Sequence, residues 1–304
     1  MAHPTDLSAA ATESIDPRFR ELDAWEPALA LQAMWEGQLA ATAAVQSALP
    51  AIAAAARAAV PRLAGTGRLV YAGAGTSGRI GVQDGAELPA TFEWPTQRLV
   101  LLMAGGAPAF TRSIENAEDD APAGAAAIAA HNIGVDDVVL GIAASGNTPF
   151  TAACLREAAA RGALTIGVAN SPGGAVLREA AHPILVETGA EVIAGSTRMK
   201  AGTAQKIVLN LFSSLVMVQL GRVHQGLMVD MQARNEKLRQ RAVRMLHHIT
   251  GMNDEAALRA ALAEAGGRVK SAVLVLRGLD RASAEALLDR SGNSLRAALA
   301  GLAA

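Results

Sequence analysis

The sequence predicts an α/β fold, a five-stranded parallel sheet flanked by helices, followed by a small C-terminal all-helical module. Three observations carry that expectation. Five short apolar runs, Leu69 to Tyr71, Leu99 to Met103, Val138 to Ile142, Leu164 to Val168 and Ile184 to Val186, alternate with helical stretches. Each run is uninterrupted rather than alternating in and out, as in strands covered on both faces. At 304 residues and 51% hydrophobic composition, the chain can bury a sizeable core.

Taken in order, residues 1–60 form a helical segment packed on the core. Two alanine-rich helices run from Glu26 to Val60, with Pro27 in the first turn of one and Pro50 opening the next. Residues 61–250 form the sheet domain. After the first strand a helix runs from Arg79 to Glu87; helical stretches from about Pro108 to Ala117 and from Pro122 to His131 follow the second. Val138 to Ile142 leads into a helix ending near Gly162, and a helix around Ala175 to Ala181 separates the last two strands. Long helices are expected from Thr197 to Gly221 and from Leu227 to about His248, the second carrying Asp230, Arg234 and Lys237 among apolar positions. Residues 251–304 read as short helices with glycine breaks.

The formal net charge is -1 with both signs dispersed, which offers no basic footprint for nucleic acid and points to a small ligand. Residues 1–6 lack the charged and apolar regions of a secretory signal. The uncharged span Ile207 to Gly221 is shorter than the roughly 20 residues a bilayer needs, so a buried helix is expected there and no membrane partner. Cys154 is the single cysteine, which excludes an internal disulfide or a multi-thiolate zinc site and fits a reducing cytoplasm. The histidines show no metal-ligand spacing.

The polar chemistry collects at strand ends. Gly73-Ala74-Gly75-Thr76-Ser77-Gly78 satisfies the G-x-G-x-x-G pattern after a strand. A dinucleotide site also wants an acidic residue at the end of the second strand, where this chain has Met103-Ala104-Gly105-Gly106. Thr76 and Ser77, hydroxyls beside backbone N–H groups at a helix start, suit a terminal phosphate instead. Ser145-Gly146-Asn147-Thr148 repeats that chemistry at another strand end, the alternative being a capped helix start. A third cluster comprises Glu191, then Ser196, Thr197 and Lys200, again opening a long helix, the alternative being a capped helix start with solvated basic residues. Asp84 and Glu87, three apart, share a helix face by spacing; Glu115 and Glu118 do likewise after the second strand. Carboxylates from two crossings are what general acid and base work at one centre requires, and solvated helix glutamates are the alternative.

These loops resemble the sugar isomerase (SIS) domain, and the full set is similar to the N-acetylmuramic acid 6-phosphate etherase family, itself related to the glucokinase regulatory protein. The match runs from Thr12-Glu13-Ser14 through Ala72 to Phe92, Ile114 to Asp119 and Gly195 to Lys206, to Leu227-Met228-Val229-Asp230 and Asn235-Glu236-Lys237-Leu238. The resemblance implies cleavage of the C3 lactyl ether of a phosphorylated amino sugar, with no metal or redox cofactor. It makes Glu87 the family's proton donor and Glu118 its second active glutamate. Gly75, Thr76, Ser77, Ser145, Gly146, Asn147, Thr148, Glu191, Ser196, Thr197 and Lys200 are then the candidate substrate-binding residues. It also implies a homodimer, for which the apolar helix at 207–221 is the expected core. The chain departs from the family pattern at Ala86, Leu88, Ala90, His224 and Gly226. A non-catalytic sugar-phosphate-binding regulator and a sugar-phosphate isomerase on the same scaffold are the competing readings.

Overall fold

The five expected strands form one parallel sheet in this computed structural model, which describes residues 11–233 and 235–302; the last is His182–Leu185 rather than Ile184 to Val186. Residues 1–6, read above for a secretory signal, and Arg234 lie outside the described residues. The strands are β1 (Leu69–Gly73), β2 (Leu99–Met103), β3 (Val138–Ala143), β4 (Leu164–Ala169) and β5 (His182–Leu185), in the order β2-β1-β3-β4-β5. Every neighbouring pair is parallel. All residues of β1, β3 and β4 are buried, which is why these strands read as continuous apolar runs.

Two units make up the chain. One contains the residues up to Gly85 together with Gln97–Ser213; the other contains Ala86–Thr96 and the chain from Ser214 on. In the sheet unit, α1 (Pro27–Ala44) and α2 (Leu49–Ala64) precede β1, each with proline at its first or second position. The helix α3 (Gly75–Phe92) follows β1, α4 (Ala121–Ala130) precedes β3, and α5 (Pro149–Ala160) joins β3 to β4. A single turn, α6 (Ala175–Arg178), leads to β5, and α7 (Lys200–Gln219) runs on into the other unit after Ser213, as α3 does after Gly85. By length and composition, α1 with α2 and α7 could each cross a membrane. Val208, Leu209, Phe212, Val216 and Met217 of α7 are nevertheless fully buried in protein.

The N-terminal ends of β1 and β3 are stapled by charge. Asp137 Oδ1 accepts from the Arg68 backbone N–H at 2.9 Å and from its Nε at 3.1 Å, while Oδ2 accepts from Nη2 at 2.7 Å. Burial pushes the Asp137 carboxyl up, but the bonds from Arg68 and Gly134 outweigh it and hold the group below the usual range. This end of the sheet is given to stability, leaving the carboxyl ends for ligands.

The second unit has its own apolar core, drawn from α8 (Glu236–Thr250), α9 (Glu255–Glu264), α10 (Val269–Val275), α11 (Arg281–Arg290) and α12 (Leu295–Leu302). It begins earlier than residue 251 because Ala242, Val243, Met245 and Leu246 of α8 belong to that core rather than to the sheet.

Three local expectations are corrected. The stretch from Leu227 is not one helix: Val223–His224 and Leu227–Met228 form a two-stranded hairpin, β6 and β7. Gln225 and Gly226 both have positive φ, 49° and 76°, as a two-residue hairpin turn demands. Only then does Asn235 start α8, its side chain accepting from Leu238 N–H at 2.9 Å. Residues 108–117 are not a helix: irregular chain at 111–116 joins a 3-10 turn at Ala107–Phe110 to another at Ala117–Asp119, and the carbonyls of Ala109, Phe110 and Arg112 accept from the Arg79 guanidinium. The first helix of the sheet begins at Gly75 rather than Arg79, so Thr76 and Ser77 lie in its first turn.

Candidate active site

The chain leaves β1 for β2 on one side and returns to β3 on the other, which makes the carboxyl ends of β1 and β3 the switch point at which open α/β sheets take their ligands. Both hydroxyl-bearing loops follow these strands, though the cavity beside Gly75 is not lined by Ser145–Thr148. Beyond β1, Gly75 has φ 53° and its missing side chain faces open space. Gly78 answers a different need, since a Cβ there would lie 2.7 Å from the Gly73 carbonyl oxygen and 2.4 Å from Met103 Sδ. Close packing of α3 on β1 therefore fixes this glycine, and the free N–H groups of the first turn, with Thr76 half-buried and Ser77 buried, face the carboxyl end of the sheet.

Beyond β3, the Ser145–Thr148 loop is held by its own side chains. Ser145 Oγ accepts from Asn147 N–H at 3.2 Å, and Asn147 Oδ1 accepts from Ala175 N–H at 3.1 Å, capping α6. Gly146 has φ 75° and lies against Gly174, where a Cβ would meet the Gly146 carbonyl oxygen at 2.5 Å. Thr148 is the N-cap of α5, with Pro149 following it.

The third cluster is built differently from expectation. Glu191 is 1% exposed, and its carboxylate accepts from the backbone N–H groups of Lys200 and Ala201, each at 2.9 Å. It therefore occupies the N-terminus of α7, where a bound phosphate would otherwise sit. Lys200 Nζ donates to the Ala190 carbonyl at 2.8 Å, closing the same loop. Ser196 and Thr197 lie half-buried in the turn before α7. The segment named at the start of the chain comes here too: Thr12 is buried with its hydroxyl 3.5 Å from Ser171 Oγ, and a side chain on Gly195 would meet Glu13 Oε2 at 3.0 Å.

Glu118 is exposed and joins the glycine loop. It lines a cavity of about 210 Å³ together with Ala74, Gly75, Arg79 and Glu115. Arg79 builds that wall by donating to Ala109 O at 3.0 Å, Phe110 O at 3.3 Å and Arg112 O at 3.1 Å. The sequence signal for it was available in principle: a cation one turn into a helix that opens on a glycine loop.

Glu87 is exposed on α3 and does not line that cavity. Nor does it share a face with Asp84. Asp84 is 3% exposed and turns to the sheet, accepting from the Tyr71 hydroxyl at 2.8 Å. Burial pushes the Asp84 carboxyl up, opposed by hydrogen bonds from Tyr71, Ser213 and Asn210 and by the Lys206 charge. Beside it, Gln205 Nε2 donates to Asn170 Oδ1 at 2.9 Å, and Asn170 Nδ2 to Val186 O at 3.0 Å. These polar contacts bind α7 to the ends of the strands. His224 is buried in the helical unit, where desolvation and the Arg296 charge push its pKa down.

Comparison with known proteins gives this geometry its context. The glucokinase regulatory protein N-terminal SIS domain model matches residues 51–159, and the SIS domain model matches residues 113–215. An N-acetylmuramic acid 6-phosphate etherase of Deinococcus radiodurans is 49% identical over 95% of this chain and 94% of its own length. The chain belongs to the N-acetylmuramic acid 6-phosphate etherase family. The etherase of Streptomyces avermitilis is 45% identical over 97% of this chain and 95% of its own. That of Symbiobacterium thermophilum is 52% identical over 77% of each. Among solved structures, a phosphoheptose isomerase from Francisella tularensis aligns with 64% of this chain and all of its own, at 19% identity and a TM-score of 0.47. Against the pattern expected of the etherase family, Ala86, Leu88 and Ala90 surround Glu87 on the last turns of α3, and of these Leu88 is buried. Gly226 supplies the positive φ of the β6–β7 turn.

Proposed function

We propose that this protein cleaves the lactyl ether of N-acetylmuramic acid 6-phosphate, giving N-acetylglucosamine 6-phosphate and D-lactate, in the recycling of cell-wall sugars. The observation that carries the reading is the convergence of Glu118 with the Gly75 end of α3 on one cavity, within a chain 49% identical to a named etherase. The N–H groups and hydroxyls of Thr76 and Ser77, with those of Ser145, Asn147 and Thr148, hold the phosphate and sugar hydroxyls. Gly75 and Gly146 let the backbone approach. Ser196 and Thr197 border the substrate, and Glu191 with Lys200 holds their loop in place.

An alkoxide is a poor leaving group, so the reaction goes through the open-chain aldehyde, whose carbonyl makes the C2 proton acidic. Glu118 removes that proton. The C3–O bond then breaks, its electron pair leaving with the lactate oxygen, which takes a proton from Glu87; a C2–C3 double bond remains. Water adds its hydroxyl to C3 while giving its proton to Glu87, and the exposed Glu118, having exchanged its proton with solvent, returns one to C2. Both glutamates end as they began.

The enzyme works in the cytoplasm on a small phosphorylated sugar. It acts as a homodimer, and the exposed apolar side chains of α1 support that reading: Leu31 is 68%, Trp35 60% and Leu39 50% exposed at four-residue spacing. A coupled assay for D-lactate tests the function. Wild type releases lactate from N-acetylmuramic acid 6-phosphate, and Glu87→Gln does so about 10²- to 10⁴-fold more slowly. Unchanged release by Glu87→Gln contradicts the role given to that residue, and aldose–ketose interconversion without lactate contradicts the reaction.

A further inference from the structure

We propose that Arg222 is a positioning residue for Glu87, acting through the carboxyl end of α3; the inference rests on Glu87 being the proton donor. The need for such a group is written into the helix. Pro89 lies inside α3 and removes one intrahelical donor from the turn that follows Glu87, and Glu93 ends the helix with φ 53°. Beyond Pro89 the helix is closed by Glu93 N–H on the Pro89 carbonyl at 3.1 Å and Trp94 N–H on the Leu88 carbonyl at 3.4 Å, and the carbonyls of Phe92 and Glu93, past that closure, call for a donor from elsewhere.

Arg222 supplies what is missing. Its Nη1 donates to the carbonyl of Phe92 at 2.6 Å and of Glu93 at 3.3 Å, and its guanidinium lies 5.2 Å from the centre of the Trp94 ring. A cation at the final carbonyls also complements the helix dipole. Arg222 is held in turn by an ion pair with Asp230, Nη1 to Oδ2 at 3.0 Å; the same oxygen accepts from Asn293 Nδ2 at 3.1 Å and pairs with Lys270 Nζ at 3.4 Å. Lys270 Nζ also donates to the Asn293 carbonyl at 2.8 Å. These groups line a polar cavity of about 270 Å³ within the helical unit.

Burying them is costly. Lys270 has a side chain only 4% exposed, and desolvation pushes its pKa down to about 8 despite the Asp230 charge. Replacing such a cluster by apolar side chains is often neutral or stabilising, so stability alone does not account for it. The last turn of α3 is where its use lies. Glu87 sits about 7 Å before Phe92 along the helix axis, close enough for a loosened end to move its carboxyl by the fraction of an ångström that proton transfer notices.

The test separates the two proton transfers. In D2O, Arg222→Ala is expected to release lactate about ten- to a hundredfold more slowly than wild type, while still exchanging deuterium into C2 of the substrate. Arg222→Lys, which keeps a donor and the charge, should recover part of the loss and serves as the readable variant should Arg222→Ala not fold. Exchange and release falling together in either variant, or a raised KM with kcat unchanged, overturns the proposal. Wild-type lactate release by Glu87→Gln overturns instead the reading on which it rests.

Discussion

Asp84 and Glu87 show how two carboxylates three positions apart on one helix come to different ends. Asp84 is turned to the sheet and bonded to Tyr71, the chain's single tyrosine, whereas Glu87 stays in solvent. Burial raises the Asp84 carboxyl above its ordinary value, so the folded state binds a proton that the unfolded state has already released. Stability is accordingly lost as pH rises from the ordinary aspartate range through the folded value, and the cost stands at neutral pH. Asp84→Asn keeps an acceptor for the Tyr71 hydroxyl without the charge. It is expected to melt above wild type at pH 7, with the advantage shrinking toward pH 4 in thermal melts; a lower melting point at pH 7 contradicts this account. The i, i+3 spacing was legible in the sequence, but the facing of the pair was not. It depends on Tyr71 from a strand and on Lys206, Asn210 and Ser213 from a helix more than a hundred residues away.

At the scale of elements, the strands and the position of the glycine and hydroxyl-bearing loops at their ends were legible because apolar runs and glycine turns are local signals. The β6–β7 hairpin was not, since Gln225-Gly226 is a weak turn signal and Leu227-Met228-Val229 fits a helix as well as a strand. Val273-Leu274-Val275, strand-like in composition, lies in α10 because its tertiary core accepts it there, with Val273 and Leu274 fully buried. The helix expected to hold two copies together also reads differently. Most of the large apolar side chains of α7 between Val208 and Met217 are spent on the core, with Leu211 at 40% exposed and, beyond them, Val218 at 47%. The fuller apolar stripe is on α1, at Leu31, Trp35 and Leu39. Sedimentation velocity should therefore find a dimer that Trp35→Lys weakens or splits, whereas an unaltered dimer in that variant would remove α1 from the interface.

For the whole molecule, the hydroxyl-bearing loops belong to the sheet unit and the carboxyl end of α3 belongs to the helical unit. The sequence made the first half plain, because each hydroxyl-bearing loop follows its strand directly. It concealed the second, because Glu93, Arg222, Asp230, Lys270 and Asn293 are scattered over two hundred residues and carry no motif that names their meeting. The chemistry assigned to the molecule as a whole is elimination followed by water addition, with the sugar C2 proton exchanged for one from solvent. Mass spectrometry of N-acetylglucosamine 6-phosphate formed in D2O tests that most directly. The account predicts one non-exchangeable deuterium, at C2, in the product; a product that keeps its original hydrogen at C2 would contradict it.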